Sequence, residues 1–323
     1  MEITSFRVNV SEDVLVDLKQ RLARTRWPDE PADAGWDYGV GLGYLRELTE
    51  YWQRQFDWRA QERAMNAFAQ FRAEVDGLGI HFIHQRGTGP DPMPLILTHG
   101  WPSTFMEMAR LIPLLTDPAS HGGDARDAFD VVVPSLVGYG FSDRPAWRGP
   151  WRTHEYWAKL MAGLGYDRFA AQGGDVGAGV TTNLGRAFPE RVIGIHLNSD
   201  LAWPSPIPDA AELSPQEREY LARVAQWRDE ESGYSHEQRT SPQTLAYGLN
   251  DSPAGLAAWI VEKFRAWSDS HGDVESRFTK DALLTTVTTY WVTQTIGSSI
   301  RGYYEGAHAP ELPRESQRVS VPT

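Results

Sequence analysis

Asp175 stands in a setting that suits a nucleophile, because small residues surround it in the stretch QGGDVGAG at positions 172–179. A strand-like run, DRFAAQ, precedes this stretch, and a helix-like run, TTNLGRAF, follows it. A strand, a tight glycine turn and a helix can hold the central side chain of the turn in a strained, exposed position. The spacing therefore predicts that Asp175 is presented for reaction, although an ordinary glycine turn also explains the stretch taken alone.

The motif His99-Gly100-Trp101-Pro102 provides a second element, at the end of the strand-like run PLILTH. In the α/β-hydrolase fold, the loop at this point supplies one backbone N–H to an oxyanion hole, and the residue after the nucleophile supplies the other. We therefore expect the N–H groups of Trp101 and Val176 to converge on one oxygen. A strand that ends at a proline explains HGWP alone, but two motifs in this order favour a hydrolase.

A carboxylate at the nucleophile position indicates an electrophile other than a carbonyl. A serine that attacked a saturated carbon would form an ether, whereas a carboxylate forms an ester that water can attack next. Epoxides and alkyl halides are such electrophiles. A halide needs N–H donors, commonly an indole directly after the aspartate, and an epoxide oxygen needs an O–H donor such as tyrosine. Because position 176 is valine, the sequence favours the epoxide.

The elements around these motifs indicate a parallel α/β core with a helical insertion. Strand-like runs lie at 80–84, 94–99, 129–135, 167–172 and 191–198. The last four are separated by stretches of helical length, which is typical of βαβ units. Helical spacing occurs from Ser11 to about Thr25, from Leu45 to Phe56, from Glu212 to Arg228, after Asp251-Ser252-Pro253 and from about Lys280. A final strand-like run is predicted at Arg318–Val321.

The composition of the chain indicates which classes of molecule it can bind. The 323 residues carry a formal charge of −12 and no concentrated basic stretch, so the sequence argues against nucleic acid and favours a small neutral substrate. The chain has no cysteine, which excludes disulfides and thiolate chemistry. Neither a signal peptide nor an apolar run long enough to span a membrane is recognisable. We expect a soluble, cytoplasmic protein without a membrane anchor, and a homodimer is possible.

Long motifs make the sequence similar to the microsomal-type and juvenile-hormone-type epoxide hydrolases over nearly its whole length. They are RLARTRWPDE, WDYG, FDWRAQER, HFIH, PLILTHGWPSTFMEM, PSLVGYGFSDRP, QGGDVGAG, GIHLN, GYSHEQRTSPQTLAYGLNDSPAGLAAWIVEKF and TTYWVTQTIGSSIRGYY. The resemblance implies an α/β protein of the α/β-hydrolase fold with an N-terminal meander and a helical cap. It implies a meander at 1–75, a first part of the core at 76–200, a cap at 201–305 and a return to the core at 306–323.

The resemblance also implies roles for particular residues. Asp175 matches the nucleophile that opens the epoxide to a vicinal diol, and Tyr234 and Tyr290 match the two lid tyrosines that donate protons to the epoxide oxygen. No metal or organic cofactor is implied. From the residues alone, Tyr234 would be a loop residue after Gly233 and Tyr290 a core residue on a helical stripe.

Two departures from the family pattern modify these expectations. Val176 replaces the usual tryptophan, which should reshape the pocket but keep the backbone donor. The family's C-terminal acid and histidine have no counterparts before Thr323, so we expect hydrolysis of the ester to be impaired. Asp200 is a weak substitute for the acid, and no upstream histidine is a convincing base; those considered are His99, His196, His236 and His308. A dehalogenase of the same fold and a noncatalytic binding protein remain as alternatives.

Overall fold

The computed structural model describes residues 1–149, 151–198, 213–310 and 318–323, and within them the strands form one seven-stranded sheet. The order across the sheet is β1-β2-β3-β5-β4-β6-β7. The strands are β1 (Ile3–Phe6), β2 (Gln70–Val75), β3 (Leu78–Gln85), β4 (Met93–Thr98), β5 (Phe129–Pro134), β6 (Phe169–Gly173) and β7 (Val192–Leu197). Strands β4 to β7 lie parallel to their neighbours in this group, as the spacing of the apolar runs predicts.

The central strands are apolar because both of their faces are covered. Val131, Val132 and Val133 in β5 are fully buried, which is typical of a parallel strand between two helical layers. The first three strands pair in antiparallel fashion. Strands β1 and β2 were not predicted. Strand β1 is only four residues long, and β2 contains the charged Arg72 and Glu74 and thus lacks a continuous apolar run.

Helices in the described ranges fall into three groups along the chain. The first comprises α1 (Glu12–Ala23), α2 (Leu42–Arg54) and α3 (Trp58–Met65). The core contains α4 (Leu111–Thr116), α5 (Thr153–Gly163) and α6 (Val176–Ala187). The third comprises α7 (Pro215–Glu231), α8 (Gly233–Thr240), α9 (Pro242–Asp251), α10 (Pro253–Ala266), α11 (Lys280–Thr293) and α12 (Ile296–Ala307). None of them is both long and apolar enough to cross a membrane.

Local signals set several helix boundaries. Ser214 and Glu217 form a capping box at the start of α7, and Ser252 caps α10 by accepting a hydrogen bond from the N–H of Gly255. Ser11 occupies the N-cap position of α1 as predicted, but its side chain makes no capping hydrogen bond. The expectation of a loop around Tyr234 is wrong, because that residue lies in the first turn of α8.

The predicted strand at Arg318–Val321 does not form a ladder in the structure. The chain runs beside β7 instead, where the carbonyl oxygen of Pro322 accepts a hydrogen bond of 2.8 Å from the N–H of Ile195. Val321 and Val319 lie close to Gly185, so this segment packs on the core near the C-terminal end of α6.

The N-terminal helices contact the third group of helices. Arg21 of α1 donates hydrogen bonds to the carboxylate and the carbonyl oxygen of Asp251. The hydroxyl of Tyr51 in α2 donates to Asp281 at 2.9 Å, and the guanidinium of Arg265 lies 4.5 Å from the ring of Trp36. The aromatic stretch 27–58 therefore serves in part as a contact surface, while Leu48, Trp52 and Phe56 belong to the core.

Candidate active site

Strand β6 and helix α6 position Asp175 at a tight turn. Asp175 has φ of 49° and ψ of −123°, a backbone conformation that side-chain-bearing residues rarely adopt. The turn closes only because glycines permit close approach: a Cβ on Gly177 would lie 2.1 Å from the carbonyl oxygen of Thr98. Gly173 is equally restricted, because a Cβ there would lie 2.2 Å from the carbonyl oxygen of Gly177. The predicted strand–turn–helix context is present.

Two backbone N–H groups hold the carboxylate of Asp175. The N–H of Trp101 donates to Oδ1 at 2.8 Å, and the N–H of Val176 also donates to the carboxylate. Gly100 is needed beside this contact, because a Cβ there would lie 2.4 Å from the Cβ of Asp175. The two donors predicted from the HGWP and GGDVG motifs therefore meet at one carboxylate.

The environment of Asp175 raises the pKa of its carboxyl group. Part of the side chain is exposed, but protein surrounds the rest of it and removes much of its hydration. Desolvation is the largest influence and raises the pKa, while the hydrogen bonds from Trp101 and Val176 oppose it. The carboxylate is thus less strongly solvated than one at the surface, which favours nucleophilic attack.

Tyr234 lies against the HGWP loop, which carries the N–H donor of Trp101. Its ring stacks on the indole of Trp101 with centroids 5.3 Å apart and planes within 5°. Burial is the main reason that the pKa of Tyr234 is raised to about 12, and the charge of Asp175 adds to it, while a hydrogen bond from Tyr303 acts in the opposite direction. The phenol therefore keeps its proton at neutral pH.

Tyr290 approaches the same region from α11 and is fully buried. Its hydroxyl donates a 2.9 Å hydrogen bond to the carbonyl oxygen of Ser103, the residue after the HGWP motif. Burial raises its pKa well above the ordinary value, and the charges of Tyr139 and Asp175 add to the effect. The structure thus brings Tyr234 and Tyr290 to the HGWP loop from two different helices.

Comparisons with known proteins agree with this geometry. Residues 3–108 match the family described as "Epoxide hydrolase N terminus", and residues 93–251 match the "alpha/beta hydrolase fold" family. A Stigmatella aurantiaca protein provisionally named an epoxide hydrolase is 48% identical over 94% of this chain and 70% of its own length. Epoxide hydrolase 1 of the rabbit, Oryctolagus cuniculus, is 37% identical over 99% of this chain and 76% of its own.

The chain belongs to the epoxide hydrolase family. The crystal structure of juvenile hormone epoxide hydrolase from the silkworm Bombyx mori superposes with a TM-score of 0.81 at 30% identity, covering 99% of this chain and 79% of that one. The α/β-hydrolase fold and the family predicted from the motifs are confirmed, and the chain is a hydrolase.

A cavity of about 1020 Å³ in this epoxide hydrolase is lined in part by Val176, the residue after Asp175. Its lining includes the apolar or aromatic residues Val176, Tyr139 and Tyr303 and the charged residues Arg152, Arg186 and Glu305. The volume suits a small organic ligand. Valine at position 176 makes this part of the wall aliphatic rather than aromatic.

Sequence reasoning missed two further tyrosines near Asp175. Tyr139 is buried, and its hydroxyl donates to the carbonyl oxygen of Ser299 at 3.3 Å. The ring of Tyr303 in α12 lies 6.0 Å from that of Tyr234 and 6.1 Å from that of Trp101. Both stand in motifs that carry the family resemblance, GYGFSDRP and RGYY, but neither has a spacing that indicates chemistry by itself.

The four histidines that were considered as bases differ in their surroundings. His99 is buried with both ring nitrogens occupied, since Nε2 accepts from the N–H of Leu136 at 3.1 Å and Nδ1 contacts the carbonyl oxygen of Gly100 at 3.0 Å. Burial lowers its pKa to about 4, so it is a fixed neutral residue. The other three are exposed, namely His196, His236 and His308. Asp200, the weak candidate for the acid, lies outside the described residues.

Proposed function

We propose that this epoxide hydrolase opens its substrate through a covalent ester on Asp175. One carboxylate oxygen attacks an epoxide carbon, the carbon–oxygen bond of the ring breaks, and the oxygen that leaves takes a proton from a tyrosine. The observation that carries the proposal is the pair of N–H donors from Trp101 and Val176 on the Asp175 carboxylate. They can hold the carboxylate in place for attack, and can later stabilise the negative charge that develops on the carbonyl oxygen of the ester when water attacks it.

Tyr234 and Tyr290 are the proton donors in this proposal. Both phenols have raised pKa values, which supports their being protonated when the substrate arrives. Tyr290 would exchange its hydrogen bond with the Ser103 carbonyl for one with the epoxide oxygen. Tyr234 is oriented by its stacking on Trp101, so its hydroxyl can reach the same oxygen with little loss of side-chain entropy.

Water activated by a base must then cleave the ester to release a vicinal diol. His99 is unsuited to this task because both of its nitrogens are occupied and its pKa is low. We propose that hydrolysis of the ester is slower than its formation in this chain, so that the ester accumulates. Three further expectations remain predictions. They are the division of the chain into a meander at 1–75, a core and a cap at 201–305, a cytoplasmic location, and a homodimer.

Intact-mass spectrometry of the chain after incubation with styrene oxide tests the proposal. We expect one adduct per molecule, equal in mass to one styrene oxide, that accumulates faster than it is lost. Asp175→Asn should form no adduct, and Tyr234→Phe combined with Tyr290→Phe should form it at least about a hundred times more slowly. Many turnovers of epoxide without a detectable adduct would contradict the slow second step. Release of halide from an alkyl halide that survives both tyrosine substitutions would favour the dehalogenase instead.

A further inference from the structure

Lys263 of α10 is an unusual feature near Tyr234, because lysine is rarely withdrawn from water. Its side chain is 9% exposed. The ammonium nitrogen lies 5.3 Å from the ring centroid of Tyr234 and 5.5 Å from that of Trp267, over the face of each ring. It also pairs with the carboxylates of Glu231, at 3.7 Å, and Glu262.

The neighbours of Lys263 form a connected set. The ring of Trp267 lies 4.8 Å from that of Tyr234, and its indole N–H donates to Glu231 at 3.3 Å. Withdrawing an ammonium from water costs several kcal/mol unless charges and ring faces replace the lost hydration. Here the two carboxylates and the two rings do so. One of those rings belongs to the tyrosine that the proposed reaction uses as an acid.

Charge moves toward Lys263 during the proposed alkylation. Before reaction the negative charge is on Asp175; afterwards that carboxylate is a neutral ester. The epoxide oxygen has taken the proton of the Tyr234 hydroxyl, so the electron pair of the broken carbon–oxygen bond ends in the new O–H bond and the charge is on the phenolate. A cation above a phenol ring stabilises the phenolate more than the phenol.

We propose that Lys263 is a positioning residue that stabilises the developing phenolate of Tyr234 in the alkylation transition state. The inference rests on the proposed function, since it assumes that Tyr234 is the acid. An interaction that is stronger in the transition state than in the substrate complex accelerates the reaction, whereas one of equal strength in the two states does not. A purely structural role, in which Lys263 only joins α10 to α7 through Glu231, predicts a loss of stability without a specific effect on Tyr234.

The rate constant for adduct formation with saturating styrene oxide, followed by intact mass, separates these roles. We expect Lys263→Met to react about tenfold more slowly than the wild type, and Lys263→Arg to recover much of the rate because it keeps the charge. Lys280→Met is the matched control. Lys280 also pairs with two carboxylates, Glu47 and Glu275, and lies 5.8 Å from the ring of a tyrosine, Tyr51, outside the site. That variant should lose stability but keep the rate.

The double variant decides whether Lys263 acts through Tyr234. In a Tyr234→Phe background, Lys263→Met should cause little further slowing, because the phenolate no longer forms. Equal slowing in both backgrounds, or a Lys263→Met rate equal to that of Lys280→Met, would overturn the inference. If Lys263→Met does not fold, Lys263→Gln replaces it with the same expectation. Absence of both adduct and diol with the wild type would instead refute the proposed function.

Discussion

At the residue scale, the proposed chemistry depends on the ionisation states of one carboxyl group and one phenol. In the proposed mechanism Asp175 must be ionised to attack; desolvation by the surrounding protein raises its pKa, and two backbone N–H groups limit that rise. Tyr234 must be protonated, and burial raises its pKa. A nucleophilic carboxylate and a protonated phenol can therefore coexist at neutral pH.

The pH dependence of alkylation follows from these shifts. Protonation of Asp175 removes the nucleophile, so the rate constant should fall as pH decreases, along a limb centred above the ordinary value of 3.8. On the alkaline side, the pKa of Tyr234 of about 12 keeps the acid protonated. We expect no alkaline limb below about pH 10 in a single-turnover profile. An acid limb centred below pH 3.8, or a fall in the rate constant as pH rises through neutrality, would contradict the assigned roles.

Part of the site could be predicted from the residues alone. Asp175, Trp101 and Val176 lie in short glycine- and proline-containing motifs whose local geometry follows from their sequence. Tyr234 and Tyr290 were predicted only through the family resemblance, because their approach to the HGWP loop depends on how α8 and α11 pack, and their roles remain predictions. Lys263 was missed for the same reason: nothing in α10 by itself indicates which aromatic ring its ammonium faces.

At the element scale, α6 requires glycine at position 177, on the helix face that lies against β4. A Cβ on Gly177 would meet the carbonyl oxygen of Thr98 in β4, whereas a Cβ on Gly179 would meet nothing within 4 Å. The two glycines are therefore a matched pair on one helix, and only the first is restricted by the approach of a neighbouring strand.

We predict opposite effects on stability from substituting these two glycines. Gly177→Ala should lower the free energy of unfolding by about 2 kcal/mol because the helix must move away from β4. Gly179→Ala should raise it by about 0.5 kcal/mol, since alanine favours the helix. Chemical denaturation of both variants measures the difference. Equal effects would mean that the helix is not held this close to the sheet.

The secondary structure was predictable where one residue pattern dominates. The parallel strands β4 to β7 are continuous apolar runs, and α10 has both a cap and an apolar stripe. By contrast, β1 is only four residues long, α8 is largely polar, and α12 contains glycines and serines that have low helix propensity. These elements depend on tertiary packing; α12, for example, packs against α8 and α9.

At the scale of the whole molecule, the N-terminal helices connect the sheet to the third group of helices. Glu62 of α3 is central to this arrangement and is 7% exposed. Its Oε1 accepts hydrogen bonds from the N–H of Val10 at 2.7 Å and the indole of Trp58 at 2.8 Å, and its Oε2 accepts one from Arg59 at 2.7 Å. Helices α1 and α2 in turn contact α10.

Glu62→Ala should therefore destabilise more than a local site. Removing a buried carboxylate that accepts three hydrogen bonds should cost about 3 kcal/mol, and hydrogen exchange should increase in α10 as well as around Val10. Glu12→Ala is the matched control, because Glu12 pairs with the same Arg59 but is 72% exposed. Its substitution should cost less than about 1 kcal/mol. Increased exchange confined to the residues around Val10 would show that the N-terminal helices do not support the rest of the molecule.

The location of the covalent bond tests the central claim most directly. After incubation with styrene oxide, proteolysis and tandem mass spectrometry should find the hydroxyalkyl group as an ester on Asp175, and the Asp175→Asn variant should lack it. An adduct on any other residue, or diol formation by the Asp175→Asn variant at the wild-type rate, would contradict a mechanism that begins with this carboxylate.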